Sequence, residues 1–272
     1  MPEQRHAVNG VSISAEDRGG GRPVVLLHGF PLDHGMWSAQ LDALSAEHRM
    51  IAPDLRGFGA SSLAAGDAQR GVGMEQYAAD VAALLDALGI DEPVVLAGFS
   101  MGGYAAWQFA LNYPERLAGF IACDTRAVAD TDEARAGREK MAAAALEAGD
   151  SSPALAMLPK LLAKQTHDSR PNVVAQVRAM IERQSAGAIA AAQRGMARRV
   201  DVEARLSEIG CPALVVVGAE DAISPPAEMR EIAAAMPDAR VAEIAAAGHM
   251  TTMENPEAVT RAIADFIATL DR

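Results

Sequence analysis

The residues best able to do chemistry stand in Ala97-Gly98-Phe99-Ser100-Met101-Gly102-Gly103. A bare G-x-S-x-G arises often by chance. Here the apolar run Val94 to Ala97 precedes it, and Ala105, Ala106, Phe109 and Ala110 follow at helical spacing. A strand before and a helix after are the setting that lifts a serine hydroxyl above a sheet edge on a sharp turn. Such a turn brings backbone segments too close for side chains, and Gly98 and Gly102 meet that need. A helix starting at Met101 would aim its unpaired N–H groups at the same place. Ser100 is the candidate nucleophile.

A serine hydroxyl is a weak nucleophile until a base takes its proton, and that base needs an orienting carboxylate. Of the six histidines, His6, His48 and His167 lie in polar contexts that suit solvated surface residues. His34 follows the first Gly-rich turn and reads as a surface residue at the edge of a pocket. His28 ends the apolar run 24–27, where its ring can bond the loop after it. His249 differs: it lies in Ala247-Gly248-His249-Met250, between the last strand-like run and the last helical one. That loop belongs at the carboxyl edge of a parallel sheet, together with Ser100.

The acid should come from another strand end, and Val217-Gly218-Ala219-Glu220-Asp221 supplies Asp221. Alone, Asp221 reads as a turn or capping aspartate. The chain order Ser100, Asp221, His249 is the order in which this triad is built on such a sheet. Glu220 is the alternative acid. Asp124 also follows a strand-like run, although a salt bridge to Arg126 is its simpler role. Acyl transfer further needs donors for the developing oxyanion. The backbone N–H of Met101 is one. The N–H of Phe30, in the turn His28-Gly29-Phe30-Pro31, is the natural second, since Pro31 has none to offer.

The elements that must position these groups follow from hydrophobic patterning. Apolar runs at 11–13, 23–27, 50–52, 94–97, 117–123, 213–217 and 241–244 alternate with helical stretches, which argues for an α/β sheet. The runs at 24–27, 94–97 and 213–217 are apolar throughout, as strands buried on both faces must be. Tyr77, Val81, Leu84, Leu85 and Leu88 share one helix face, with Gly89 as its C′ residue. Val259, Ile263, Phe266, Ile267 and Leu270 repeat the pattern, with Asn255 as cap and Pro256 in the first turn. From Thr125 to Leu206 the strand runs vanish. Helices are expected near 131–148, 153–165, 171–184 and 187–198. This stretch reads as an all-helical insertion, giving a core of 1–124 joined to 207–272 and a cap of 125–206.

With those residues in place, the sequence resembles the α/β-hydrolase superfamily over nearly its whole length. It is similar above all to small bacterial serine carboxylesterases, cofactor-free haloperoxidases (perhydrolases) and 3-oxoadipate enol-lactonases. The resemblance rests on His28 to Pro31, Asp54-Leu55-Arg56-Gly57-Phe58-Gly59-Ala60-Ser61 and Gly98 to Gly103. It rests also on Gly218 to Pro225, and on Gly248-His249 followed by Glu254-Asn255-Pro256. It implies an α/β-hydrolase fold, with a mostly parallel eight-stranded sheet flanked by helices and a helical cap inserted after the sixth strand. Relatives that use an aspartate nucleophile are excluded by Ser100. The Ser100-Met101 pair and Trp37 resemble perhydrolase-type esterases, while Phe30 stands where those often carry Trp. The Asp54 to Ser61 stretch is expected to shape the neighbouring loop and to do no chemistry. Most apolar cap residues must pack on the core. A few should line an apolar cleft above Ser100, with Met157, Leu158 and Leu161, together with Trp37, as candidates.

The expected activity is hydrolysis of small to medium carboxylic esters through an acyl-enzyme. The alternatives are a lactonase or perhydrolase using the same triad, a C–C bond hydrolase, and a non-catalytic small-ligand receptor or stress-response factor. Composition bounds the partners. The 272 residues carry 24 Lys plus Arg against 36 Asp plus Glu, a net charge of −12, which argues against nucleic acid and anionic membrane surfaces. Half the residues are hydrophobic and 22% are charged, the balance of a globular core. Cys123 and Cys211 lack metal-ligand spacing and no phosphate-binding glycine loop occurs, so neither metal nor cofactor is expected. Met1 to Gly10 has no apolar h-region and no run of about 18 apolar residues follows. A cytoplasmic protein acting on a small-molecule ester, with no membrane partner, is the expectation.

Overall fold

A computed structural model describes residues 4–270; residues 1–3 and 271–272, at the ends of the expected core segments, lie outside the described residues. Eight strands form one sheet: β1 (Gln4–Val8), β2 (Val11–Arg18), β3 (Pro23–Leu27), β4 (Arg49–Pro53), β5 (Val94–Phe99), β6 (Leu117–Cys123), β7 (Ala213–Gly218) and β8 (Ala239–Ile244). Their spatial order is β1-β2-β4-β3-β5-β6-β7-β8. The pairs β1–β2 and β2–β4 are antiparallel, and every other pair is parallel. The sheet is therefore the mostly parallel, eight-stranded one implied by the resemblance.

The strands lie where apolar continuity predicts them. β3, β5 and β7 are buried along their whole length, and they occupy interior positions in the sheet. Register places Leu27 beside Gly98 and Phe99 beside Cys123, so the ends of β3, β5 and β6 meet at one edge. β1 is the strand that hydrophobic patterning does not reveal. It is an edge strand with four of its five residues exposed or half-buried, and it carries no apolar stripe. The turn after it does carry a signal. Asn9 and Gly10 both have positive φ, the Asn-Gly hairpin turn that matches strand twist.

Helices cover the sheet in the expected places. Met74–Ala87 packs against Met101–Asn112, and Ser38–Leu44 packs against Pro256–Ile267. Asn255 caps the last helix by accepting from the Ala258 N–H, and Gly89 has φ of 65° just past Leu88. All described elements between β6 and β7 are helical, including Asp132–Ala148, Pro171–Glu182 and Ala186–Ala197. The single helix expected at 153–165 is instead three pieces: a 3-10 turn Ser152–Met157, a short helix Leu158–Leu161, and Lys164–Ser169. Pro159 has no N–H to continue the 3-10 turn as a longer helix. The chain between the last two pieces spends its polar groups elsewhere, as the site shows. No described helix is long and apolar enough to cross a membrane.

One buried ion cluster holds the Asp54–Ser61 loop to the core. Arg56 donates through Nε and Nη2 to Asp80 at 2.7 and 2.8 Å and reaches Asp67 at 3.4 Å. Arg56→Ala would strand the Asp80 carboxylate, which is only 3% exposed, without its cation. The expected loss is about 3–5 kcal/mol, read from urea unfolding. A loss below about 1 kcal/mol would show that this cluster is not what fixes the loop.

Candidate active site

Ser100 sits between β5 and the helix Met101–Asn112 with φ of 50° and ψ of −113°. For a residue with a Cβ that conformation is strained, and it persists only where the surroundings enforce it. Three glycines supply the enforcement by allowing close approach. A Cβ on Gly98 would stand 2.5 Å from the Gly102 carbonyl oxygen. One on Gly102 would stand 2.5 Å from the carbonyl oxygens of Leu27 and His28, and one on Gly29 2.6 Å from the Phe99 ring. The neighbouring strand closes the turn. Ser100 N–H donates to the Cys123 carbonyl at 3.0 Å, and Thr125 Oγ1 donates to the Ser100 carbonyl at 2.8 Å.

The three residues expected to form a triad come together at this edge. His249 Nε2 lies 2.9 Å from Ser100 Oγ, and His249 Nδ1 lies 2.8 Å from Asp221 Oδ2. The imidazole therefore carries its proton on Nδ1, toward the carboxylate, and leaves Nε2 free to accept from the serine. Phe99 packs on the histidine ring at 5.1 Å between centroids. His249 and Asp221 are buried, while Ser100 keeps partial exposure. Burial pushes the Asp221 carboxyl up, but His249, the Ser224 hydroxyl and the Ile223 N–H together hold it below the ordinary carboxylate value. Glu220, the alternative acid, is exposed.

The candidate oxyanion donors lie on either side of Ser100. Met101 is the first residue of its helix, so its N–H has no partner within the helix; the first i→i−4 bond there runs from Tyr104 to Ser100. Phe30 follows Gly29, whose backbone passes close enough that a Cβ would stand 3.1 Å from Ser100 Cβ. The peptide between Phe30 and Pro31 is cis. This loop is tied from beneath by the Asp54 stretch. Leu55 N–H donates to His28 Nε2 at 2.9 Å while His28 Nδ1 bonds the Gly29 carbonyl at 2.9 Å. Burial lowers the His28 pKa, so the ring stays neutral and can accept on one side and donate on the other. Asp54 accepts from the His34 N–H at 3.0 Å, from the His34 ring at 2.7 Å and from the Ala60 N–H at 2.8 Å. His34 is thus a partner of Asp54 rather than a surface residue at a pocket edge.

The helices between β6 and β7 reach both the Phe30 loop and the His249 loop. Asp33, in the loop of Phe30, takes two bonds from Arg183 at 2.5 and 2.6 Å and one from Gln184 at 3.0 Å. Met250 N–H donates to the Leu161 carbonyl at 3.0 Å. Glu254 accepts from Gly248 N–H through one oxygen, and from Ala163 N–H and Thr166 Oγ1 through the other, at 2.6–2.8 Å. Those bonds explain why no continuous helix runs through Leu162 and Ala163. Glu254 stands in the motif Glu254-Asn255-Pro256, and its spacing from His249 holds no signal for this role. Ser224, whose hydroxyl donates to Asp221 at 2.6 Å, was likewise unassigned. The Asp221-x-x-Ser224 spacing is the local signal for it.

The proposed pocket residues are distributed differently. Trp37 is fully buried, Leu161 and Leu158 are buried, and Met157 is half-buried. A groove of about 580 Å³ runs between the helix Pro171–Glu182 and the core past Met36, Val173, Met180, Thr252 and Met253, and is lined by none of those four. Among the described residues, two groups of carboxylates and imidazoles could in principle hold a cation: Asp33-His34-Asp54 and Asp124-Asp221-His249. In both, the donor atoms are engaged by hydrogen bonds within the protein, those of Asp124 by the Gly218 N–H and the Thr251 hydroxyl. The expected Asp124–Arg126 salt bridge does not form, because Arg126 reaches Glu228 at 2.8 Å and Asp124 faces inward. Burial pushes the Cys123 thiol well up, so it acts as a small apolar side chain.

Comparison with known proteins agrees with this architecture. Residues 22–256 match the model of the alpha/beta hydrolase fold family. The structure superposes on a thermophilic esterase from Thermogutta terrifontis with a TM-score of 0.94 and 42% identity, covering 99% of each chain. It superposes on the enol-lactonase from Burkholderia xenovorans LB400 with a TM-score of 0.88 and 29% identity, covering 97% of this chain and 100% of that one. The 2-hydroxy-6-oxo-6-phenylhexa-2,4-dienoate hydrolase of Burkholderia cepacia is 32% identical over 94% of this chain and 91% of its own.

The Asp221 shift fixes the sign of one pH effect. A carboxyl held below its unfolded value of about 3.9 contributes stability that is complete above that pH and is lost as pH falls through the lowered folded value. The stability difference between wild type and Asp221→Asn should therefore move in favour of wild type as pH rises to about 4–5, then stay level to neutrality. Urea unfolding from acid to neutral pH measures it, and a difference independent of pH would mean that Asp221 has no such partners.

Proposed function

The chain belongs to the alpha/beta hydrolase family, and on that premise we propose that it is a serine carboxylic-ester hydrolase working on small-molecule esters. One observation carries the reading: His249 bridges Ser100 Oγ and Asp221 Oδ2 at 2.9 and 2.8 Å across three separate loops of one sheet edge. The esterase from Thermogutta terrifontis, 42% identical along nearly the full chain, supports the ester as substrate class.

Ser100 Oγ attacks the ester carbonyl while its proton passes to His249 Nε2. Asp221 holds the ring in the tautomer that can accept it and stabilises the imidazolium. Charge developing on the carbonyl oxygen is met by the N–H groups of Phe30, in the turn closed by the Leu32 N–H on the Gly29 carbonyl, and of Met101, at the helix start. The imidazolium returns its proton to the leaving alkoxide, giving an acyl-Ser100. Water, deprotonated by the same nitrogen, then releases the acid and restores the serine. A lactone presents the same carbonyl and the same leaving oxygen, held in a ring. The likeness to an enol-lactonase makes cyclic esters the second substrate class to test.

The test is a panel of p-nitrophenyl esters of increasing acyl length, with simple lactones beside them. Ser100→Ala and His249→Ala are each expected to lower kcat by about 10⁴-fold or more, with Ser100→Ala, which removes one hydroxyl, keeping a melting temperature close to wild type. Hydrolysis that survives Ser100→Ala would overturn the assignment.

A further inference from the structure

Asp124 is a buried carboxylic acid that the reaction does not use, although it stands against the residues that do. Its ligand atoms lie within 4.8 Å of those of Asp221 and His249. It follows β6 directly and has φ of 45°, a conformation that costs a non-glycine residue and is enforced here from several sides. Its own N–H donates to the Val216 carbonyl at 2.9 Å. One carboxyl oxygen accepts from the Gly218 N–H at 2.9 Å, at the end of β7, three residues before Asp221. The other shares a hydrogen bond with Thr251 Oγ1, two residues after His249. The side chain is fully buried.

We propose that Asp124 is the positioning residue that joins the Asp221 loop to the His249 loop, and that it does so as an uncharged acid beside the ionised Asp221. The proposal rests on the ester-hydrolase reading for its kinetic consequence, but not for the bridge itself. The groups facing Asp124 decide its charge. From the end of β7 and the loop after it, Asp124 meets the neutral Gly218 N–H and the Asp221 carboxylate, and beyond β8 the His249 ring and the hydroxyl of Thr251, the first residue of the short helix Thr251–Glu254. Glu254 adds a further acidic neighbour from the short helix beyond. Among the described residues no Lys or Arg forms an ion pair with it; Arg126 is taken by Glu228. A second charge here would be buried without a cation beside a first, the arrangement in which one carboxyl of a pair keeps its proton. Burial, with Asp221 next in weight, accordingly pushes Asp124 well above the ordinary carboxylate value. In the neutral form the carbonyl oxygen accepts from Gly218 and the O–H donates to Thr251. The negative charge that the imidazolium needs then belongs to Asp221 alone.

An uncharged bridge predicts that an amide can replace it. Asp124→Asn keeps an acceptor for Gly218 and a donor for Thr251, so kcat should stay within about threefold of wild type and the acid limb of the kcat/KM pH profile should not move. Asp124→Ala removes the bridge and should lower kcat by about 10- to 100-fold with little change in KM. The rate of Ser100 phosphonylation by a fluorophosphonate is measured beside ester turnover, so that a protein inactive on every ester still reports on its nucleophile. Infrared spectroscopy at neutral pH should show a protonated-carboxyl stretch in wild type that Asp124→Asn lacks. This arm needs no substrate, and no variant without the bridge. A missing band, an acid limb shifted down by a unit or more in Asp124→Asn, or damage equal to that of Asp124→Ala would make Asp124 a charged second acid. Full reactivity in Asp124→Ala would remove its positioning role.

Discussion

The whole site depends on one strained turn. Ser100 can hold its left-handed backbone only because the strand end of β3, the start of the following helix and the end of β6 press on it without intervening side chains. A Cβ at Gly98, Gly102 or Gly29 would push one of those segments away. Tight backbone packing of this kind is unforgiving, since close-packed interiors transmit a displaced ångström rather than absorb it. Its return is that the hydroxyl and the nearby N–H groups are in place before any substrate arrives, which is what electrostatic preorganisation requires.

Around that turn, the loops that carry Phe30, Asp221 and His249 are tied by polar contacts as well as by apolar packing. Asp54, Glu254 and Asp33 each gather backbone N–H groups or side chains from segments far apart in the chain. Carboxylates suit the task because each offers two oxygens and several acceptor directions. Loops at a sheet edge have many N–H groups that no ladder satisfies, so a buried carboxylate can settle two or three at once.

Much of this was legible in the sequence, for identifiable reasons. Continuous apolar runs mark β3, β5 and β7 because buried parallel strands tolerate no alternation. Ser100 and Asp221 stand out because each closely follows such a run, and His249 because it lies between the last strand-like run and the last helix; strand ends are where a parallel sheet exposes side chains. β1 was missed because an edge strand needs no apolar stripe, and its Asn9-Gly10 turn was the signal left unused. Asp124 follows a strand-like run and Glu254 stands in a motif, but neither these positions nor that of Thr251 discloses a partner. Their roles exist only once β6, β7 and β8 are side by side, and a residue's partner across 94 or 127 positions leaves no spacing to read. The helix expected at 153–165 failed for a related reason: Leu161 and Ala163 spend their backbone groups on the His249 loop.

That last feature bears on how such proteins diversify. A helical insertion that rests on a core by apolar contact alone could be exchanged between relatives as a module. Here the helical segment between β6 and β7 supplies the Leu161 carbonyl to Met250, the Ala163 N–H to Glu254 and Arg183 to Asp33, so it forms part of the frame that carries the His249 and Phe30 loops. A transplanted insertion would have to bring those three attachments with it. Variation in substrate range is therefore freest on the helices away from Leu161–Ala163 and Arg183, and most constrained at the short stretch that looks least structured.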